Sequence, residues 1–351
     1  MKEFEKVYGT DKDADTPLPH SMFMLALRKL QGHHRPIIAA RDALSLVFEY
    51  QGGCRVGEAT GDIHGWQLQQ HTMIFNDRVE VRLDDSKMSN TAEFVTMARH
   101  TTQSQLDAGQ MIMDMAEANG RAVKVAKLGG EEYRYVDYSV VRLNMQGWQG
   151  DRAKVDQLLL DLDRAPFLND RKRKHLTYWA QQKGENMNEE SRYLNVAGGE
   201  REEMLKMCEW WGAQKGGYDV RVTAGPALTS SLQGSDGRFP SDQAYTPGSL
   251  MTTYKRVFEE AYETVLEFGS AVENDELSSL VAGIDGPKWN SHSCRKGGTK
   301  RARELMDFSK VNEQAIDRHF RWKSETLTRD QQVAYAGMVA SRERCMVTLY
   351  F

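Results

Sequence analysis

The sequence predicts an α+β protein, mostly helical, with one small antiparallel sheet in its N-terminal third. Three observations carry that prediction. Apolar residues recur at helical spacing from Arg35 to Tyr50, where Leu44, Val47 and Phe48 share a face. Short alternating runs follow: HTMIF and VEVRL, joined at Asn76-Asp77, then AEFVTMA. From Thr246-Pro247, a favourable helix start, the chain returns to long amphipathic helical stretches.

Element by element, residues 1–19 read as a flexible tail and helical periodicity begins near Ser21. Gly52 and Gly53 stop the 35–50 helix, so Arg55 stands just past a helix end, at the head of a short helical segment. The three strands come next, with the polar turn DDSKMSN, carrying Lys87, between the second and third. Residues 103–118 form a Met-rich amphipathic helix, its methionines read as core. YRYVDYSVVRLNM reads as a further strand or hairpin, and helices are expected near 151–164, 168–184 and 199–214. A long Gly/Ser/Pro-rich loop follows, then helices at 248–269, 292–307, 309–319 and 325–347.

No apolar run approaches the roughly 18–20 residues that span a membrane. The first twenty residues lack a signal-peptide apolar core. Cys54, Cys208, Cys294 and Cys345 are scattered, which suits reduced thiols of an intracellular protein rather than disulfides or a zinc site. The net charge of −4 argues mildly against nucleic acid, but the charge is uneven. Between Lys288 and Lys323 ten basic residues meet four acidic ones, a local surplus of six that suits phosphate binding.

The stretch GCRVGEATGDIHGW, Gly53 to Trp66, holds two competing signals. GDIHG opens like a metal-dependent phosphoesterase, with Asp62 and His64 as metal ligands. Such a site needs further carboxylate, Asn and His ligands from later strands. No companion motif occurs, the preceding segment is helical where a strand is needed, and His20, His33, His34, His71, His100 and His175 show no ligand spacing. GDIHG therefore reads as a chance match, and no metal is expected.

Arg55 begins a different series. Downstream lie SHSCRKGGTKRARE, with His292 and Arg295 as H-x-x-R, then RHFRWKS with His319 and Trp322, then QQVAYAG with Tyr335. Arg, Lys, H-x-x-R, His-or-Trp and Tyr, in that order, resemble the catalytic domain of the tyrosine recombinases, the phage-integrase family. The resemblance covers roughly 20–100 and 235–351. It gives Arg55 and Arg295 as a phosphate clamp, Lys87 as general acid, Tyr335 as nucleophile, and His292 and Trp322 as further phosphate contacts. Glu58 would orient Arg55 or His292, with His319 as the alternative to Trp322. Lys296, Lys300, Arg301, Arg321 and Lys323 would contact DNA.

The resemblance implies a recombinase catalytic domain over 20–351 with a small three-stranded antiparallel sheet, interrupted by an α/β insertion at about 101–234 and without a separate N-terminal core-binding domain. It implies metal-independent strand cleavage and rejoining through a 3′-phosphotyrosyl intermediate, no cofactor, double-stranded DNA as partner, a homotetramer on DNA and an intracellular place of action, in the nucleus or the nucleoid. Two departures stand out. Trp322 precedes Tyr335 by 13 residues, one helical turn more than usual for the family, and only 54 residues precede Arg55. A catalytically decayed DNA-binding remnant and a type IB topoisomerase-like enzyme are the alternatives; the H-x-x-R spacing favours a recombinase over the latter.

Overall fold

The structure is a computed structural model and describes residues 16–60, 72–83, 93–118, 121–148, 151–168, 170–185, 193–198, 201–224, 227–231, 240–268, 289–306 and 311–320. Helix α1 (His20–Gln31) buries Met22, Phe23, Ala26, Leu27 and Leu30, one face of a 3.6-residue period. Helix α2 (Pro36–Tyr50) opens with Pro36, whose missing N–H removes no bond at that position. From Arg41 onward every residue of α2 is buried, which makes it the central rod of the domain. Helix α3 (Val56–Thr60) is the short segment after Arg55.

Strands β1 (Thr72–Ile74), β2 (Arg78–Leu83) and β3 (Glu93–Ala98) form the expected antiparallel meander, with Val79, Val81, Leu83, Val95 and Met97 in the core. Helix α4 (Ala108–Ala118) buries Met111, Ile112 and Met115 and packs against α2 and the sheet, so the methionines are core. The sheet has five strands rather than three. Strands β4 (Val123–Leu128) and β5 (Glu131–Val136) turn at Gly129-Gly130, both at positive φ, the requirement of a tight hairpin, and β5 joins β1.

YRYVDYSVVRLNM does not run as one strand. Asp137 accepts the Ser139 N–H at 3.0 Å, an Asx turn that breaks the ladder, and its other oxygen takes Lys124 Nζ at 2.6 Å. The chain then enters a second sheet. It comprises β6 (Ser139–Asn144), β7 (Tyr193–Gly198) and β8 (Val220–Ala224), in the order β7-β6-β8, with helices α5 (Arg152–Arg164), α6 (Asp170–Glu185) and α7 (Arg201–Gly212) between the strands. Their apolar faces make a separate core around Val141, Leu143, Leu158, Leu162 and Trp211. Of the segment 101–234, residues 108–136 contribute to the first core, and the separate core is drawn from 141–220.

The Gly/Ser/Pro-rich stretch holds two short paired strands, β9 (Thr229–Ser231) and β10 (Pro240–Ala244), and leads into α8 (Pro247–Phe268), then α9 (Ser291–Glu304) and α10 (Glu313–His319). The tail reading of 1–19 is corrected at its end. Leu18 is 0% exposed and its N–H donates to the Ser293 carbonyl at 2.8 Å, which ties it to α9. Residues 1–15 and the expected helix at 325–347 lie outside the described residues. Among the described residues no helix is long and apolar enough to cross a membrane.

In the second core the Tyr218 hydroxyl donates to Asp161 Oδ2 at 2.6 Å, and Gln157 Nε2 donates to the other oxygen at 3.0 Å. Tyr218→Phe keeps the ring but strips a buried carboxylate of one donor. A loss of about 1–3 kcal/mol is expected, checked by denaturant unfolding of both proteins; an unchanged midpoint would mean the bond contributes nothing net.

Candidate phosphate-binding site

The site is built where the end of α2 meets α9. Two glycines stop α2, each for its own reason. A Cβ on Gly52 would lie 2.7 Å from Val95 Cγ1 and 2.8 Å from the Phe48 carbonyl, so glycine admits strand β3. Gly53 has φ +59°, and a Cβ there would lie 2.7 Å from Phe320 Cδ1 and 2.9 Å from Phe320 Cα. The chain reverses, Cys54 N–H donating to the Phe48 carbonyl at 3.0 Å, and presents Arg55.

Arg55 occupies the N-cap position of α3, its carbonyl accepting the Ala59 N–H at 2.8 Å. Glu58 reaches back to it twice. Its Oε2 accepts the Arg55 backbone N–H at 2.7 Å and its Oε1 accepts an Arg55 guanidinium N–H at 3.1 Å. The first bond is half of a capping box and the second an ion pair. The Glu58 side chain is 6% exposed and that of Arg55 24%, so the carboxylate is fixed while the guanidinium keeps a solvent-facing edge.

Helix α9 starts at Asn290, whose side chain accepts the N–H groups of His292 at 2.8 Å and Ser293 at 3.2 Å; Ser293 Oγ accepts the Asn290 N–H at 3.1 Å. This capping box fixes the helix start and leaves His292 exposed in its first turn. One turn on, Arg295 is 5% exposed and donates to the Phe320 carbonyl, while its own carbonyl accepts Thr299 Oγ–H at 2.9 Å. Gly297 and Gly298 follow. A Cβ on the first would overlap the Leu18 carbonyl, and one on the second the Tyr50 carbonyl, so α9 lies directly on the end of α2. His319, buried at the end of α10, hydrogen-bonds through Nε2 to the Gln51 carbonyl, 268 positions away.

Segments 51–58 and 290–320 therefore interlock. Phe320 covers Gly53, its carbonyl takes Arg295, and Arg55 stands two residues beyond Gly53. Of the residues singled out in the sequence, Arg55, Glu58, His292, Arg295 and His319 are carried by these two segments. With Nε2 directed at Gln51, His319 serves as a packing contact between α10 and the end of α2. Lys87, Trp322, Tyr335, Arg321 and Lys323 lie outside the described residues, as do Asp62 and His64. Among the described residues no group of three or more His, Cys, Asp or Glu side chains could hold a metal ion.

The remaining candidate DNA contacts sit along α9. Lys296 is half-buried. Lys300 and Arg301 pair with Glu304 at 3.7 and 3.6 Å, and Arg303 pairs with Asp317 at 3.1 Å and Glu313 at 3.4 Å. Sequence reasoning missed Phe320, which acts through its carbonyl and its ring, and Glu49, a buried acid behind the site. Glycine doublets were the available signal for the first. For the second it was an acid within an apolar helix. No family model, curated protein or solved structure matches the chain.

The glycines make a graded test. Gly298→Ala forces α9 off α2 and should cost about 3 kcal/mol or more. Gly53→Ala adds strain at positive φ to overlap with Phe320 and should cost about 1–3 kcal/mol. A Cβ on Gly57, in helix α3, would meet nothing within 4 Å, so Gly57→Ala should be neutral or stabilise by up to about 1 kcal/mol. Thermal unfolding of the three variants checks the order; equal effects would show that close approach is not what these positions require.

Proposed function

We propose that the protein cleaves and rejoins DNA strands through a covalent phosphotyrosine, as a tyrosine-recombinase-type enzyme. The observation that carries this reading is the interlock of Gly53, Phe320 and Arg295, which anchors the loop of Arg55 and the helix of His292 and Arg295 on one contact. Two arginine-bearing segments far apart in sequence, meeting at one place, are what a phosphate clamp requires.

The chemistry follows from the residue types. In phosphodiester cleavage charge accumulates on the non-bridging oxygens, and two planar guanidinium forks stabilise it. Glu58 holds Arg55 by backbone and side chain, so that fork is pre-oriented. The Tyr335 oxygen attacks phosphorus; the P–O bond to the 5′-oxygen breaks; the 5′-oxygen leaves with a proton from Lys87. His292 receives the tyrosine proton or donates to a phosphate oxygen, and the Trp322 indole N–H donates to another. The phosphotyrosyl ester conserves the bond energy, so a 5′-hydroxyl rejoins the strand by the reverse step. Strand exchange would place several protomers on one DNA assembly.

One observation favours a second reading, a DNA-binding remnant without activity. Arg295 is nearly buried and its guanidinium is engaged by the Phe320 carbonyl. In the active reading that bond is exchanged for a phosphate oxygen when DNA enters. In the inert reading it is permanent.

Trapping decides between them. Wild type incubated with supercoiled plasmid and stopped with detergent should yield protein covalently joined to DNA. Tyr335→Phe should bind DNA with the same salt dependence and yield none. Lys87→Ala should be slow on ordinary DNA and largely rescued on a 5′-phosphorothiolate, whose sulfur leaves without a proton. EDTA, and Asp62→Ala with His64→Ala, should change nothing. No adduct with wild type would establish the inert reading, and relaxation without exchange between two sites would point to a topoisomerase-like enzyme.

A further inference from the structure

Strand β4 ends the five-stranded sheet. In the order β3-β2-β1-β5-β4 it pairs with β5 and, among the described residues, with no strand on its other side. Its side chains are apolar and open to solvent. Of the eight exposed large apolar side chains among the described residues, three lie on this one strand: Val123 at 39% and Val125 and Leu128 at 57% each. An open apolar edge is a template for another strand, and proteins guard such edges with proline, a bulge, short length or lysine. Strand β4 has six residues, no proline and an uninterrupted register with β5. Its two lysines are offset within the chain. Lys124 Nζ reaches Asp137 at 2.6 Å, and Lys127 stands in register opposite Glu132.

The hairpin fixes which backbone groups face outward. Gly129 and Gly130, at φ +59° and +88°, make a two-residue turn closed by the pair Leu128–Glu131, which exchanges both of its backbone bonds. Bonding alternates along an antiparallel ladder, so Leu128, Ala126 and Lys124 bond to β5. Val123, Val125 and Lys127 turn N–H and C=O to the open edge, and their side chains share one face. An incoming antiparallel strand must set outward-bonding residues against outward-bonding residues. For β4 of a second copy that rules out any two-fold axis passing between residues. Centring on Lys124 or Lys127 sets like charge against like, which is destabilising. Centring on Ala126 sets each Val125 against a lysine. Centring on Val125 sets Val125 against Val125, Val123 against Lys127 and Lys124 against Ala126. Only that last register keeps the lysines apart and brings the valines together, with each Val123 diagonal to the Val125 of the other copy.

We propose that β4 is a self-association edge: two copies of the chain join β4 to β4, antiparallel and centred on Val125, so that their sheets run on as one. Pairs at Val123, Val125 and Lys127 supply about six backbone hydrogen bonds between the copies. One strand pair buries less than the roughly 1,200 Å² of a standard interface, so the dimer is reversible, with a Kd on the order of tens of micromolar. The inference does not rest on the DNA reading.

Sedimentation velocity of the full chain without DNA, from about 1 to 300 µM, should show monomer passing to dimer across that range. Val125→Lys sets two cations against each other on the axis and should leave the chain monomeric throughout. Val125→Pro removes an outward N–H and no bond to β5, so the fold should stand while the dimer is lost. Circular dichroism checks the fold of both variants. Val125 is exposed, so the lysine variant decides alone if the proline variant unfolds.

Cysteines read the register, with wild type as the background. On addition of an oxidant Val125→Cys should cross-link to itself, its two Cα atoms lying about 5.5 Å apart in a directly opposed pair. Val123→Cys and Lys127→Cys should cross-link when mixed and not singly. A chain monomeric at every concentration, a dimer that Val125→Lys leaves intact, or cysteines that link in another pattern would each overturn the proposal.

Discussion

The close approach of α9 to the end of α2 is the constraint on which the rest depends. Residues without side chains at 52, 53, 297 and 298 remove the atoms that would hold strand, helix and chain apart. Strand β3 enters from one side of the doublet at 52–53 and Phe320 from the other. The doublet at 297–298 takes the Leu18 and Tyr50 carbonyls. At 297–298 backbone meets backbone, at 52–53 the glycines admit the Val95 side chain and the Phe320 ring, and carbonyls accepting from Arg295 and His319 add to the contact. Such a joint is stiff, because a small shift breaks several bonds together.

The electrostatics of the same region are graded. At the joint the charges are buried: the Arg295 guanidinium donates to a carbonyl and Glu58 accepts from Arg55. Along the outer face of α9 the pairs of Lys300, Arg301 and Arg303 with Glu304, Glu313 and Asp317 are exposed or half-exposed. Pairs of that kind contribute about 0–1 kcal/mol. Those outer pairs can therefore rearrange at little cost, whereas rearranging the joint would expose or orphan buried groups. Positive charges counted in the sequence thus divide into those buried at the joint and those in solvent-exposed ion pairs along α9.

Much of this was legible in the sequence. The period of 35–50 and the glycines after it located α2 and its end, and alternation located β1–β3. The Gly129-Gly130 hairpin was not read from the sequence, and nothing local could show that its second strand would join β1, since that pairing rests on a single non-local register. The break at Asp137 depends on a side chain accepting a backbone N–H two residues on, which competes with the ladder and leaves the apolar pattern intact. Leu18 looked like tail because its burial depends on a glycine almost three hundred residues away. At the candidate site, Arg55, Glu58, His292 and Arg295 were singled out by order and residue type, while Phe320 contributes a main-chain oxygen that carries no sequence signature.

The second sheet begins and ends at one point: Ser139, first in β6, is the cross-strand partner of Ala224, last in β8. Arg121, stacked over Tyr138, donates to the Ala227 carbonyl at 3.3 Å and draws the flanking segments together as well. Polymer statistics make a long excursion between two fixed points inexpensive, about 0.6 kcal/mol for each doubling of its length. A unit that closes its own ends in a ladder adds less still, because the host chain sees a short bridge instead of a long loop. The host core can therefore assemble as though the excursion were a tight turn, and the excursion can vary in sequence or size without altering the register of the strands on either side of it.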